Sequence, residues 1–214
     1  NSKVVENMNR IGLFPLGIVL FPNASYPLFI FESRYKKLIN KCWDQQIPFG
    51  INLMLPKKLS DVGCLTVVSD VMKVREDGDM EILVTGRNRF KIVQIYDGLN
   101  DYLEAEIESY EDIDSSIDPN LLENVLDIFN QIARKVKKFK IQEIHFDNLE
   151  FGLPSFTIAL KSGLSLEEKQ RLLESRFENE RLEMLHKHLR FLFPLIDKAE
   201  GLETLAKNDG YFSL

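Results

Sequence analysis

Residues 13–43 read LFPLGIVLFPNASYPLFIFESRYKKLINKCW, and no other stretch of this 214-residue chain limits its fold so tightly. Two Phe-Pro pairs, Phe14-Pro15 and Phe21-Pro22, bracket an apolar run over residues 16–20. Proline removes a backbone donor and pushes the residue before it into extended geometry. The run is therefore expected to be a strand punctuated at both ends. Residues 22–25 have turn composition, and residues 26–31 form a second expected strand rich in aromatic and aliphatic side chains. From Glu32 the period changes, with Tyr35, Leu38, Ile39 and Cys42 at helical spacing among Arg34, Lys36, Lys37 and Lys41. One segment thus supplies two strands and an amphipathic helix over residues 32–44, around which most of the apolar surface has to close.

Downstream, residues 49–55 (FGINLML) suit a buried strand stopped by Pro56, and residues 57–61 read as a polar connection. Residues 62–68 are a further strand leading into 71–75. Asp77-Gly78 predicts a two-residue type I′ hairpin, in which both central residues need φ > 0. The return strand is 80–85, with Gly86 breaking it and residues 89–95 alternating like a half-buried strand. Residues 102–110 (YLEAEIESY) alternate again and are expected at a sheet edge, kept soluble by Glu104, Glu106 and Glu108. Composition shifts at Glu111 to an acidic, Ser-rich linker. Asp118-Pro119 then reads as an N-cap and first helical residue of a long helix carrying Leu121, Leu122, Val125, Leu126, Phe129, Ile132, Ala133 and Val136 on one face. Its lysine-rich end suits the helix dipole. A short helix is expected over 154–160, a capping box at Ser165–Glu168, and a last strong helix over 177–193 with Leu182, Leu185, Leu189 and Leu192 on one side. One more short helix is expected within residues 195–214.

Charge narrows the function. Residues 1–112 carry 13 Lys and Arg against 16 Asp and Glu, and the remainder 14 against 17. Neither half has the basic excess that phosphate neutralisation requires, which argues against nucleic acid. Cys42 and Cys64 lie far apart and form no C-x-x-C, so two buried thiols in a reduced, cytoplasmic protein are expected rather than a disulfide. No apolar run reaches the roughly 18 residues of a membrane span, and residues 1–10 lack a signal peptide's apolar core. Neither a P-loop, nor G-x-S-x-G, nor G-x-G-x-x-G is present, and His145, His186 and His188 offer no zinc spacing. No catalytic residue, metal or cofactor is assigned, and the expectation is a protein that is not an enzyme.

The ordered set LFPL-x3-LFP-x4-PL-x-IFE-x-RY-x2-L resembles the opening of the N-terminal, substrate-binding domain of Lon proteases. The likeness continues through Pro48-Phe49-Gly50-Ile51, Val62-Gly63-Cys64, Asp77-Gly78, residues 86–90 (GRNRF), residues 102–106 (YLEAE), residues 168–174 (EKQRLLE) and Glu180-Arg181-Leu182. Ser33 stands where that family usually has proline. Lon's ATPase and protease modules have no counterpart among these residues, so the expectation is a stand-alone member. The resemblance implies a PUA-like pseudo-barrel followed by a helical bundle. It also implies a binding role toward exposed apolar or unfolded polypeptide, with a separate protease or chaperone as a further partner. Because some PUA-like folds bind RNA, an RNA-binding module is the alternative.

Three features carry the candidate site. Phe31, Glu32, Arg34 and Tyr35 sit at a strand-to-helix junction, either presenting a polar group beside an aromatic groove for an extended peptide or serving the fold, Glu32 as a helix cap and Arg34 as a partner of a neighbouring strand. Arg87 and Arg89, with Phe90, lie in an expected turn where they either grip a carboxylate or phosphate bidentately or make fold-holding ion pairs. The 15 phenylalanines exceed what one small core needs, and a few on a rim would make a recognition patch. The expected architecture is α+β: a twisted, six-stranded, largely antiparallel and partly closed barrel with one helix over residues 1–112, then an all-helical unit over 113–214.

Overall fold

Arg10 begins the first strand of a computed structural model that describes residues 10–97, 100–136, 140–149, 152–196 and 198. The chain divides into two compact units, residues 1–111 and 112–214. The first contains β1 (Arg10–Leu16), β2 (Ser25–Ile30), α1 (Ser33–Gln45), β3 (Phe49–Leu55), β4 (Lys58–Leu59), β5 (Val62–Val74), β6 (Met80–Tyr96) and β7 (Glu104–Ser109). β1 pairs antiparallel with β7 on one side and parallel with β3 on the other. The remaining pairs, β3–β5, β5–β6 and β6–β7, are antiparallel, so the path of strands returns to β1; β2 and β4 lie off it, on β6 and β3. Leu13 packs with Phe90 and Ala105 in a fully buried cluster. Its neighbour Phe14 faces the other way and meets Tyr35 of α1 at 4.1 Å and Phe49 at 6.5 Å between ring centroids. A strand with opposite neighbours both in a core is what a layer between sheet and helix demands.

Several sequence expectations change here. Seven strands stand in place of the six of the expected barrel: residues 58–59, read as a connection, turn back onto Met54 and Leu55, and the runs 80–85 and 89–95 join in β6. The first strand is 10–16 rather than 16–20. Residues 17–24 bury Val19, Leu20 and Phe21 without joining a ladder. That loop is anchored on Gly86, whose N–H donates to Ala24 O and whose O accepts from Asn23 N. A Cβ at Gly86 would stand 2.3 Å from Phe21 O, so this glycine admits a close backbone approach inside one continuous 17-residue strand. It does not end it.

At the hairpin tip only Gly78 has φ > 0 (81°). Gly78 N donates to Arg75 O and Arg75 N to Asp79 O, the three-residue arrangement with a left-handed glycine rather than a type I′ turn. Lys36 of α1 holds this tip, reaching Asp79 Oδ1 at 2.5 Å and Asp77 O at 3.1 Å. β7, expected at an edge, has β6 and β1 on its two sides. Its glutamates are tied as well as solvated: Glu104 takes Arg10 Nη2 at 3.1 Å and Glu106 takes Tyr96 Oη at 3.3 Å.

The second unit holds α2 (Pro119–Lys135), α3 (Pro154–Ala159), α4 (Leu166–Glu174) and α5 (Glu178–Leu192), with short 3-10 turns at Phe146–Leu149 and Phe193–Leu195. Asp118 caps α2, accepting from Asn120 N and Leu121 N. Ser165 and Glu168 make both halves of the capping box on α4. Leu182, Leu185, Leu189 and Leu192 are all buried on α5, which packs on α2 and α3. One isolated parallel bridge, Asp114–Phe177, departs from an all-helical unit. Lys137, Lys138 and the short helix expected within 195–214 fall outside the described residues, apart from the turn ending at Leu195 and residues 196 and 198.

Arg181 is wholly buried. Its guanidinium donates to Asp112 Oδ1 and Oδ2 at 2.8 and 2.5 Å, to Glu178 Oε2 at 2.6 Å, to Ser155 Oγ at 2.9 Å and to Ser175 O at 2.7 Å. Burial opposes its charge, but the bonds to Asp112 and Glu178 outweigh that and raise its pKa. Removing one partner of a buried ion network strands the others. Arg181→Ala is expected to cost about 3–5 kcal/mol in urea unfolding followed by circular dichroism, and an unchanged midpoint would show that Asp112 and Glu178 find other partners.

Candidate functional site

β2, β6 and β5 present one outward row in which Phe29, Glu81 and Lys73 are cross-strand neighbours. Period-2 alternation puts Phe31 and Arg75 on the same side. Phe29 and Phe31 are 44% and 61% exposed, and their rings stack with centroids 6.0 Å apart. The Arg75 guanidinium lies 4.8 Å from the Phe29 centroid and donates to Glu81 Oε1 at 2.9 Å. Two exposed aromatic rings side by side, with a cation on one, are costly to hold in water and suited to covering by a partner.

The chain then enters α1. Glu32 is its N-cap residue but makes no side-chain cap bond. Instead Arg34 Nη2 and Nε donate to Glu32 Oε2 at 2.7 and 3.0 Å, so Arg34 pairs locally rather than with a neighbouring strand. Its guanidinium also lies 5.0 Å from the Tyr35 centroid. The side-chain bond to Glu32 holds the Arg34 pKa above its ordinary value. An exposed pair of this kind adds little to stability, which leaves Phe31, Glu32 and Arg34 at the surface and Tyr35 half-buried on Phe14.

The second group separates. Arg87 is exposed, but Arg89 is 5% exposed with its guanidinium 5.4 Å from the Tyr110 centroid, and Phe90 is completely buried. Residues 86–90 are strand rather than turn, and alternation turns Phe90 into the core. Phe29 and Arg75 were not singled out in the sequence. The strand alternation of residues 26–31 and the Asp-Gly hairpin together place them, because the hairpin register brings Arg75 back beside Phe29.

Both cysteines are buried and free. Burial pushes the Cys42 thiol up to about 11 and that of Cys64 up to about 12, so both stay protonated and unreactive near neutrality. His188 is held by Ser162 O at 2.7 Å and Glu168 Oε1 at 3.3 Å. Among the described residues no group of three or more His, Cys, Asp or Glu could hold a metal ion, and no helix is long and apolar enough to cross a membrane.

Residues 10–190 match the family model of the ATP-dependent protease La (LON) substrate-binding domain. The chain is 26% identical over 201 residues to the Lon protease of Buchnera aphidicola, covering 86% of this chain and 25% of that protein. It spans about a quarter of the length of the curated relatives it matches. Among solved structures it resembles a Lon N-terminal domain protein from Xanthomonas campestris (24% identity, TM-score 0.62, 83% of this chain and 97% of that one). It also resembles the N-terminal domain of a Mycobacterium avium complex Lon protease (15% identity, TM-score 0.65, 85% and 98%).

Two predictions follow from the geometry. Phe90→Ala should lower stability by about 3–5 kcal/mol, whereas Phe31→Ser should stay within about 0.5 kcal/mol of the parent in urea unfolding. The raised thiols set a pH dependence. An unfolded thiol titrates near 8.5, so between about pH 8.5 and 12 the unfolded chain sheds protons that the folded one keeps, and stability falls as pH rises. Unfolding midpoints from pH 7 to 10.5 should fall less steeply in Cys64→Ala than in the parent.

Proposed function

This chain belongs to the family of the Lon substrate-binding domain, and we propose that it binds exposed apolar segments of unfolded polypeptide without catalysis of its own. The family supports binding of a protein substrate and a relation to an ATP-dependent protease. The observation that carries the finer reading is the stacked, exposed Phe29–Phe31 pair under Arg75. Arg34 and Glu32 form its polar edge at the start of α1 and Tyr35 its inner wall, with Arg87 as an outlying cation; Arg89 and Phe90 support the strand beneath. In this reading the returning path of strands is a partly closed barrel, residues 113–214 are a helical bundle, and a separate protease or chaperone receives the bound chain.

Apolar burial stabilises such a complex by roughly 25 cal/mol per Å² before the costs of association, and that contribution depends weakly on salt. Labelled, reduced and unfolded protein should bind with modest affinity in fluorescence anisotropy, with little change between about 50 and 200 mM salt. Phe29→Ser with Phe31→Ser should weaken it severalfold. Labelled RNA should not bind. RNA binding that falls about 10³-fold across that salt range, or unfolded-protein binding indifferent to both phenylalanines, would overturn the reading.

A further inference from the structure

A cleft of about 310 Å³ opens in the first unit where α1 lies against β1. Leu38, Ile47 and Tyr102 give it apolar walls, and Arg10, Lys41 and Glu104 supply its charges. Gly12 lets the helix come this close: a Cβ there would stand 2.3 Å from Leu38 Cδ1 and 3.1 Å from Tyr102 Cε2. The two cations differ in how they are held. Arg10 donates from Nη2 to Glu104 at 3.1 Å and lies 4.1 Å from the Tyr96 centroid, while its Nε is buried with no acceptor. Lys41 is exposed and has no hydrogen-bond or ion-pair partner among the described residues. Since Glu104 balances Arg10, the cleft carries one uncompensated positive charge beside apolar walls.

We propose that this cleft captures the C-terminal residue of a polypeptide, its apolar side chain against Leu38, Ile47 and Tyr102 and its carboxylate at Lys41 and the Arg10 guanidinium. A free C-terminus joins a carboxylate and an apolar side chain at a single carbon, which is the pairing the cleft offers. An internal Asp or Glu carries its carboxylate with no apolar branch beside it. The volume is at the small end of ligand sites, about 300–1,000 Å³, so it accommodates a chain end and not a helix. That the carboxylate belongs to a polypeptide rests on the reading above; the cleft itself shares no residue with the Phe29–Phe31 patch.

The test uses the full chain and an N-terminally labelled, disordered ten-residue peptide ending in leucine, as the free acid and as the C-terminal amide, in fluorescence anisotropy. The free acid should bind about tenfold or more tighter, the range of a hydrogen bond to a charged group. Lys41→Glu should abolish the difference while leaving the thermal midpoint unchanged, and Ile47→Asp should weaken the acid as well. Phe31→Ser should leave the acid–amide difference intact. Equal binding of acid and amide, no binding of either, or a difference that survives Lys41→Glu would overturn the proposal. An acid–amide difference that persists while unfolded protein binds equally well with and without the two phenylalanines would overturn the patch reading alone.

Discussion

β1 is the strand on which the first unit depends. Its pairing with β3 is the one parallel pairing among the described strands, and it closes the path between β3 and β7. Its side chains are divided between two cores, Leu13 among Phe90 and Ala105, and Phe14 against Tyr35 and Phe49. Gly12 sits in the same strand with no side chain at all, which is what lets α1 settle on it. Seven residues thus fix the closure of the sheet, the seat of the helix and, through the helix start at Ser33, the direction in which Phe31 and Arg34 are presented. The Arg181 network does the corresponding work in the second unit, tying residue 112, α3 and α5 to one buried charge.

Recognition surfaces and structural cores draw on the same aromatic residues here, and register separates them. Phe29 and Phe31 point outward while Ile30 between them is buried. Phe90 goes inward although the arginine three residues before it, Arg87, stays in solvent. A one-residue slip would exchange those roles throughout the strand. The bonds from Lys36 to the hairpin tip, and the Arg75–Glu81 pair beside it, hold the register where the patch is displayed.

Elements governed by local chemistry were legible in the sequence. The Asp118 cap, the Ser165–Glu168 box, the leucine stripe of α5 and the helix after Glu32 each depend on contacts within a few residues. Membership of the Lon substrate-binding family was legible too, in the ordered motifs. What misled were positions decided by partners far along the chain. Residues 17–20 have strand composition but no ladder to join, and Gly86 looked like a break because its neighbour Phe21 O lies 65 residues earlier. Alternating glutamates suggested an edge for β7, since no local pattern announces that Arg10 will pair across it. Phe90 and Arg89 were drawn into the candidate site by a turn reading of residues 86–90 that the continuous β6 replaces.

The closing pair also sets a timetable. Arg10 and Glu104 are 94 residues apart, and ribosomes add roughly 5–20 residues per second. β1 therefore emerges roughly 5–20 s before the strand that completes it, with one backbone edge open and Leu13 lacking Phe90 and Ala105. During that interval the nascent chain itself displays the kind of apolar, unpaired segment that its folded form is proposed to bind.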